Sequence, residues 1–239
     1  MAGLEGKTVV VIGGASGIGL AVARAALDDG ARVIVASSNP AHVEAAAARL
    51  GAGASGATVD VRSEDDLKRV FVEIGGLDHL VYTAGDWGGA PMGGTLAELD
   101  LAAAAGAFTV RFWGALAAIK HASPHMAAGG SITLTDGLIA HRPPKGAAVM
   151  TAMLGAIEHL TRGLAVDLAP LRVNAVCPGL INTERNQKIP EAVVQRYVGT
   201  SPLSRPGEPE EIAQAYLYLM RGGYTTGQIL LVDGGRTLV

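Results

Sequence analysis

The chain has 239 residues, of which 49 % are apolar and 17 % charged, with a formal net charge of −3. This length suits one large α/β domain, the apolar fraction excludes a disordered chain, and no basic patch points to nucleic acid or a membrane surface. Cys177 is the only cysteine, which excludes an internal disulfide and reads as a small buried apolar residue.

The predicted elements alternate from end to end. Thr8–Ile12 is a short β-branched run, as expected for a strand buried on both faces. A glycine-rich turn over 13–19 follows, then a helix over 17–29. The next strand covers 32–36 and the next helix Pro40–Leu50. A third strand is predicted over 58–61, then a helix over Glu64–Ile74 capped by Ser63. The fourth strand covers 79–83 and runs into a glycine-rich loop over 84–94. A long helix is expected over 98–121, with Gly106 as its weak point. A strand over 131–135, a helix over 147–168 and a strand over 172–177 come next. Residues 180–208 form a long loop with a short helix at Glu191–Val198, read as a substrate loop. A proline-led helix over 209–220 and a strand over 228–232 close the chain.

Seven strands alternating with helices predict a single Rossmann-type domain over 1–239, a doubly wound seven-stranded parallel sheet with helices on both faces. Ligands of such sheets sit at the carboxyl ends of the strands. Asp100, Arg111 and Lys120 interrupt the alanine-rich 102–118 stretch, and the first twelve residues lack a signal-peptide layout, so a cytoplasmic protein is expected.

Gly13, Gly17 and Gly19 stand between the first strand and the first helix, with Ser16 and Ile18 among them. Glycines there let a pyrophosphate approach the backbone, and the helix N-terminus offers free N–H groups. The chain resembles the short-chain dehydrogenase/reductase family from this motif, spaced G-x-x-x-G-I-G, almost to its end. Asp60-Val61 is similar to the family's adenine-contacting pair, and Thr83-Ala84-Gly85 to the tail of its Asn-Asn-Ala-Gly turn, with Tyr82 in place of the first Asn. Residues 160–162, 168–170 and 172–176 match closely. Pro178-Gly179, Ile181 and Thr183 match the nicotinamide turn, and residues 232–235 the terminal motif. The resemblance implies a nicotinamide dinucleotide cofactor, a small carbonyl or alcohol substrate, and a homodimer or homotetramer built on the long helices.

An acidic residue at the end of the second strand would hold the adenine ribose and repel a 2′-phosphate. Ser37 stands there, followed by Ser38 and Asn39, and Arg62, expected at the end of the neighbouring third strand, could supply charge. NADP(H) is therefore expected over NAD(H).

The resemblance also implies a Tyr–Lys pair, a Ser thirteen residues before the Tyr, and an Asn on the preceding helix. In register these positions hold Met150, Leu154, Gly137 and Arg111. Met150 and Leu154 share a helix face that offers only apolar groups, and loss of a positioned general acid typically costs about 10²–10⁴ in rate. Arg111 is a candidate to bind a carboxylate or an enolate, or else to pair with an acid. Asp136 adjoins the former Ser; strand alternation would aim it away from the face of Thr135 and Gly137, but strand ends often bend, so it is a second catalytic candidate, or else pairs with Arg111. Lys145 and His141 read as exposed loop charges. Trp87 is either a pocket wall or packing, and Trp113 core or subunit contact. His121 and His125 lack a third partner, so no metal site is expected.

Three functions stay open on the sequence: an atypical NADP(H)-binding oxidoreductase, a catalytically silent dinucleotide-binding sensor or partner subunit, and a non-redox enzyme on the same fold.

Overall fold

The computed structural model describes residues 3–86 and 95–239. Seven parallel strands form one sheet in the order β3-β2-β1-β4-β5-β6-β7. They are β1 (Thr8–Ile12), β2 (Arg32–Ser37), β3 (Ala54–Thr58), β4 (Leu77–Tyr82), β5 (Met126–Thr135), β6 (Arg172–Pro178) and β7 (Ile229–Val232). The helices are α1 (Gly17–Asp28), α2 (Pro40–Leu50), α3 (Glu64–Ile74), α4 (Leu101–Phe108), α5 (Ala115–Ala122), α6 (Ala148–Asp167), α7 (Glu191–Val198) and α8 (Pro209–Arg221).

Every residue of β1 and of β6 is buried, so both faces of the central sheet are covered. One core joins Val9 and Val11 to Val22 and Ala26 of α1 and to Ala213, Tyr216 and Leu219 of α8. The other joins Val10 and Ile12 to Phe71 of α3, Ile119 of α5 and Ile157 of α6. Two buried polar residues tie the far end together. Arg172 donates to the carbonyls of Leu219 and Met220 at 2.6 and 2.8 Å, satisfying the open C-terminus of α8. Asn174 accepts from the Gln228 N–H and donates to the Thr225 carbonyl, fixing the approach to β7.

The third strand is displaced from its expected place. It runs over Ala54–Thr58, not 58–61. As an edge strand it pairs only with β2 and is half exposed, so it carries no apolar run. The apolar signal came from Val59 and Val61, which lie beyond the strand and turn into the core. Arg62 therefore stands in the loop after β3, not at its end. Thr83 likewise falls outside β4, which spans Leu77–Tyr82.

The long helix also differs from expectation. It begins at Leu101, with the Asp100 carboxylate accepting from the N–H groups of Ala102 and Ala103. Gly106 lies in regular α-helix, and the irregularity is a π-turn segment at Thr109–Gly114 between α4 and α5. By length and composition alone, Leu101–His125 is apolar enough to cross a membrane. In the fold it lies against the sheet, with Ala107, Val110, Ala115, Ala118 and Ala122 buried.

Candidate active site

The carboxyl ends of the strands open into a cleft of about 1340 Å³. It straddles the switch in strand order between β1 and β4, where the two halves of the sheet diverge.

At one end the glycine turn leaves no room for side chains. A Cβ on Gly19 would sit 2.3 Å from the Gly13 carbonyl oxygen, and one on Gly13 would sit 2.5 Å from the Ala84 nitrogen. Gly13 has φ +85° and Gly17 φ +52°, a region that favours glycine. Ser16 precedes α1 without capping it by its side chain, so the first N–H groups of α1 face the cleft unclaimed by that hydroxyl. This bare backbone cradle is the shape a dinucleotide pyrophosphate needs. Gly13, Ser16, Gly17, Ile18 and Gly19 all line the cleft; so do Ser37, Ser38, Asp60, Val61 and Arg62.

No carboxylate follows β2. The wall there is made by Ser37, Ser38 and His42, the last not singled out by the sequence reading. Asn39 caps α2 by accepting from Ala41 and His42, so those N–H groups are committed to the cap. Arg62 lies between Asp60 and Asp86, at 3.5 and 2.7 Å. Ala84, Gly85, Pro178, Gly179, Ile181 and Thr183 also line the cleft, with Ala84 and Thr183 beside the glycine turn. Gly179 is enforced by Tyr197 of α7: a Cβ would lie 2.6 Å from its hydroxyl, which accepts from the Leu180 N–H.

Arg111 sits at the centre of the π-turn, a distortion frequent at functional sites. The Tyr82 hydroxyl donates to the Val110 carbonyl at 2.5 Å, and Gly114 leaves space for that hydroxyl. Burial pushes the Tyr82 phenol well up, which keeps it a neutral donor. The Arg111 guanidinium lies directly on Gly85, and Arg185 donates to the Gly85 carbonyl from the other side. Burial and the neighbouring Arg185 lower the Arg111 pKa, while Asp136, Tyr82 and Asp86 oppose that shift.

Asp136 lies in the cleft wall, contrary to the strand-alternation argument. β5 ends at Thr135, whose hydroxyl bonds to the Tyr82 carbonyl and to Tyr216, so alternation no longer governs the next residue. Asp136 is 2 % exposed, and burial first, then the Glu158 carboxyl, push its pKa up to about 8. His141 is not merely a loop charge: its Nε2 lies 2.6 Å from Glu158 Oε1. Lys145 does line the cleft mouth. Glu158 was missed, although it stands i,i+4 from Leu154 on the same helix face.

The residues expected in register with the family's Tyr, Lys and Ser carry packing. Met150 and Leu154 are each 1 % exposed and join Ala107, Ala147 and Met153 in a small third core. Leu154 and Gly137 line the cleft and Met150 does not. The donor atoms of Asp136, His141 and Cys177 lie within 4.8 Å of one another, a grouping invisible in their spacing. Burial and the Asp136 carboxylate push the Cys177 thiol up, which opposes thiolate there. His121 pairs with Glu64 at 3.0 Å. Trp87 lies outside the described residues, and Trp113 is 60 % exposed, which removes it from the core.

A family model described as enoyl-(acyl carrier protein) reductase matches residues 13–237. The chain is 38 % identical over 251 residues to the short-chain dehydrogenase/reductase ATR9 of Stachybotrys chlorohalonatus, covering 98 % of each. It is 34 % identical to carbonyl reductase family member 4 of Danio rerio, covering 98 % of this chain and 99 % of that one. Among solved structures, a small-chain dehydrogenase in complex with NADPH superposes with a TM-score of 0.83 at 35 % identity, over 98 % of this chain and 99 % of the other.

Proposed function

Because the chain belongs to the short-chain dehydrogenase/reductase family of oxidoreductases, which bind a nicotinamide dinucleotide, we propose that it is an NADP(H)-dependent reductase of a small carbonyl compound in which Arg111 and Asp136 replace the usual catalytic side chains. One observation carries this reading: a guanidinium and a buried acid line the same cleft as a bare glycine cradle. The bound dinucleotide supplies hydride. Arg111 is placed to hold the substrate oxygen as negative charge develops on it, and its planar fork suits that task. Asp136, kept protonated by burial and Glu158, gives its proton to that oxygen, forming the O–H bond of the alcohol and leaving the carboxylate.

The NADP(H) preference is supported by Ser37, Ser38 and His42 where a ribose-binding carboxylate would exclude a 2′-phosphate. Arg62 is half exposed, so its ion pairs hold it weakly and it can turn to a phosphate. The relatives described as a carbonyl reductase and as an NADPH complex support the same reading. Exposed Trp113 and Val166 on the long helices are in keeping with a homodimer or homotetramer.

The test is NADPH oxidation across ketones, aldehydes and enones, with NADH in parallel. Turnover that is lost in Arg111→Ala and in Asp136→Asn supports the assignment. NADPH binding without turnover on any compound makes the protein a silent binder instead. Substrate loss without NADPH oxidation assigns it non-redox chemistry.

A further inference from the structure

Glu158 sits one helical turn past Leu154 and two past Met150, on the face that turns toward the cleft floor. It is 7 % exposed, which is rare for a glutamate without a partner. Three groups surround its carboxylate. His141 from the loop after β5 lies 2.6 Å from Oε1, Arg162 of α6 lies 3.5 Å from Oε2, and Asp136 lies against it from the end of β5.

Asp136 is the more enclosed of the two acids. Neither of its oxygens has a donor in ordinary hydrogen-bond geometry among the described residues. Its neighbours are the Glu158 carboxyl, the Cys177 thiol from β6 and the Gly137 backbone, with Arg111 acting across the cleft and Asp233 reaching only as far as Cys177. Two carboxylates packed together away from water cannot both ionise cheaply. A single proton between them resolves the conflict: it supplies the donor that Asp136 lacks and leaves one negative charge for Arg162 and His141 to face. Asp136 opens to the cleft, whereas His141 is 31 % exposed at its side chain and opens to solvent.

We propose that Asp136 and Glu158 share one proton, that Glu158 positions and recharges Asp136 as the donor to the substrate, and that His141 is the route by which the proton returns from solvent. This rests on the reading of Asp136 as the proton donor. After Asp136 gives its proton to the substrate oxygen, Glu158 and then His141 pass one back from water, so the pair returns to one proton and no electrons move. The arrangement explains how a helix face stripped of Tyr and Lys still feeds a proton to the cleft.

Difference infrared spectroscopy of the NADPH-bound protein against pH tests this without a substrate. The wild type is expected to show a protonated carboxyl band that persists through neutral pH. Asp136→Asn should abolish the band at neutral pH, and Glu158→Gln should move its loss about one pH unit or more lower. His141→Ala should move the band the other way, because the carboxylate loses its donor. A folded Glu158→Gln protein that retains the wild-type band overturns the shared proton; if that variant does not fold, an unmoved band in His141→Ala overturns the route. Stoichiometric metal in the purified protein, with the band restored by chelation, overturns the proposal in favour of cation binding. Turnover on the carbonyl panel separates the two levels: loss in Asp136→Asn with a wild-type pH profile in Glu158→Gln keeps Asp136 as donor and removes Glu158, whereas full turnover in Asp136→Asn removes the donor itself.

Discussion

A Cβ placed on Gly85 would lie 2.5 Å from the Arg111 Cζ and 2.7 Å from its Nε. Gly85 is thus the floor on which the guanidinium rests, and the glycine that closes the β4 turn also sets the height of the charged group above the cleft. The obstructing atoms belong to the end of a flexible side chain, so Gly85→Ala is expected to fold normally while displacing Arg111. A misplacement of about 1 Å in a positioning group can cost about 10² in rate. Thermal melting should therefore change little while turnover of the best carbonyl substrate falls by up to about 10². Parental turnover in Gly85→Ala would break the link between the two residues.

Arg111→Lys is the second prediction. Lysine keeps the charge but not the planar fork, and it sits on the same π-turn. If Arg111 stabilises the developing oxyanion, both Arg111→Lys and Arg111→Ala should lower kcat by about 10²–10³ with smaller changes in NADPH affinity. Equal losses of kcat and of NADPH binding would instead place Arg111 among the cofactor contacts.

Ser37→Asp should reverse the nucleotide preference. The new carboxylate would stand at the end of β2, facing the position of the adenine ribose, beside Ser38 and His42. Fluorescence titration is expected to show NADPH binding weakened by about tenfold or more, the cost of roughly 1.4 kcal/mol of repulsion, with NADH binding preserved or tightened. A uniform loss of both nucleotides would mean that Ser37 does not face the 2′ position.

The sheet and the glycine cradle were legible because their signals are local: β-branched runs, a proline-led helix, and glycines between a strand and a helix. The edge strand β3 was not, since its Ala-Ser-Gly-Ala-Thr sequence carries no apolar period and Val59 and Val61 mimic one just beyond it. The active-site floor was only half legible. Absence of Tyr and Lys could be read by counting, but Asp136, His141 and Glu158 come from a strand end, a loop and a helix, and only the fold brings them together. Strand alternation misled for Asp136 because the strand stops one residue earlier.

Leu154→Ala separates packing from chemistry on the cleft-lining face of α6. Leu154 is 1 % exposed and shares its small core with Met150, Met153, Ala107 and Ala147. Truncation should cost about 2–5 kcal/mol in chemical denaturation, the range for a buried leucine that leaves a cavity. The pH dependence of turnover should stay where it was, since no proton resides there. A moved pH profile would show that this face still governs proton delivery.

His79 gives the fold a pH dependence of its own. It is 5 % exposed in β4, its Nδ1 lies 2.8 Å from the Ser131 hydroxyl, and burial lowers its pKa to about 4, with nearby Asp78 opposing that shift. The unfolded chain takes up a proton near pH 6.5, which the folded protein refuses until about pH 4. Stability attributable to this group is therefore fully present above pH 6.5 and is lost progressively as pH falls through the window toward 4. At pH 5 the loss should reach about 2 kcal/mol relative to pH 7. His79→Gln can keep a hydrogen bond to Ser131 but carries no titrating group. Its denaturation midpoint should fall less between pH 7 and pH 5 than that of the wild type, even if it is less stable at pH 7. Parallel pH–stability curves for the two proteins would mean that His79 is protonated equally in both states, and the acid sensitivity of the fold would then belong to its carboxylates.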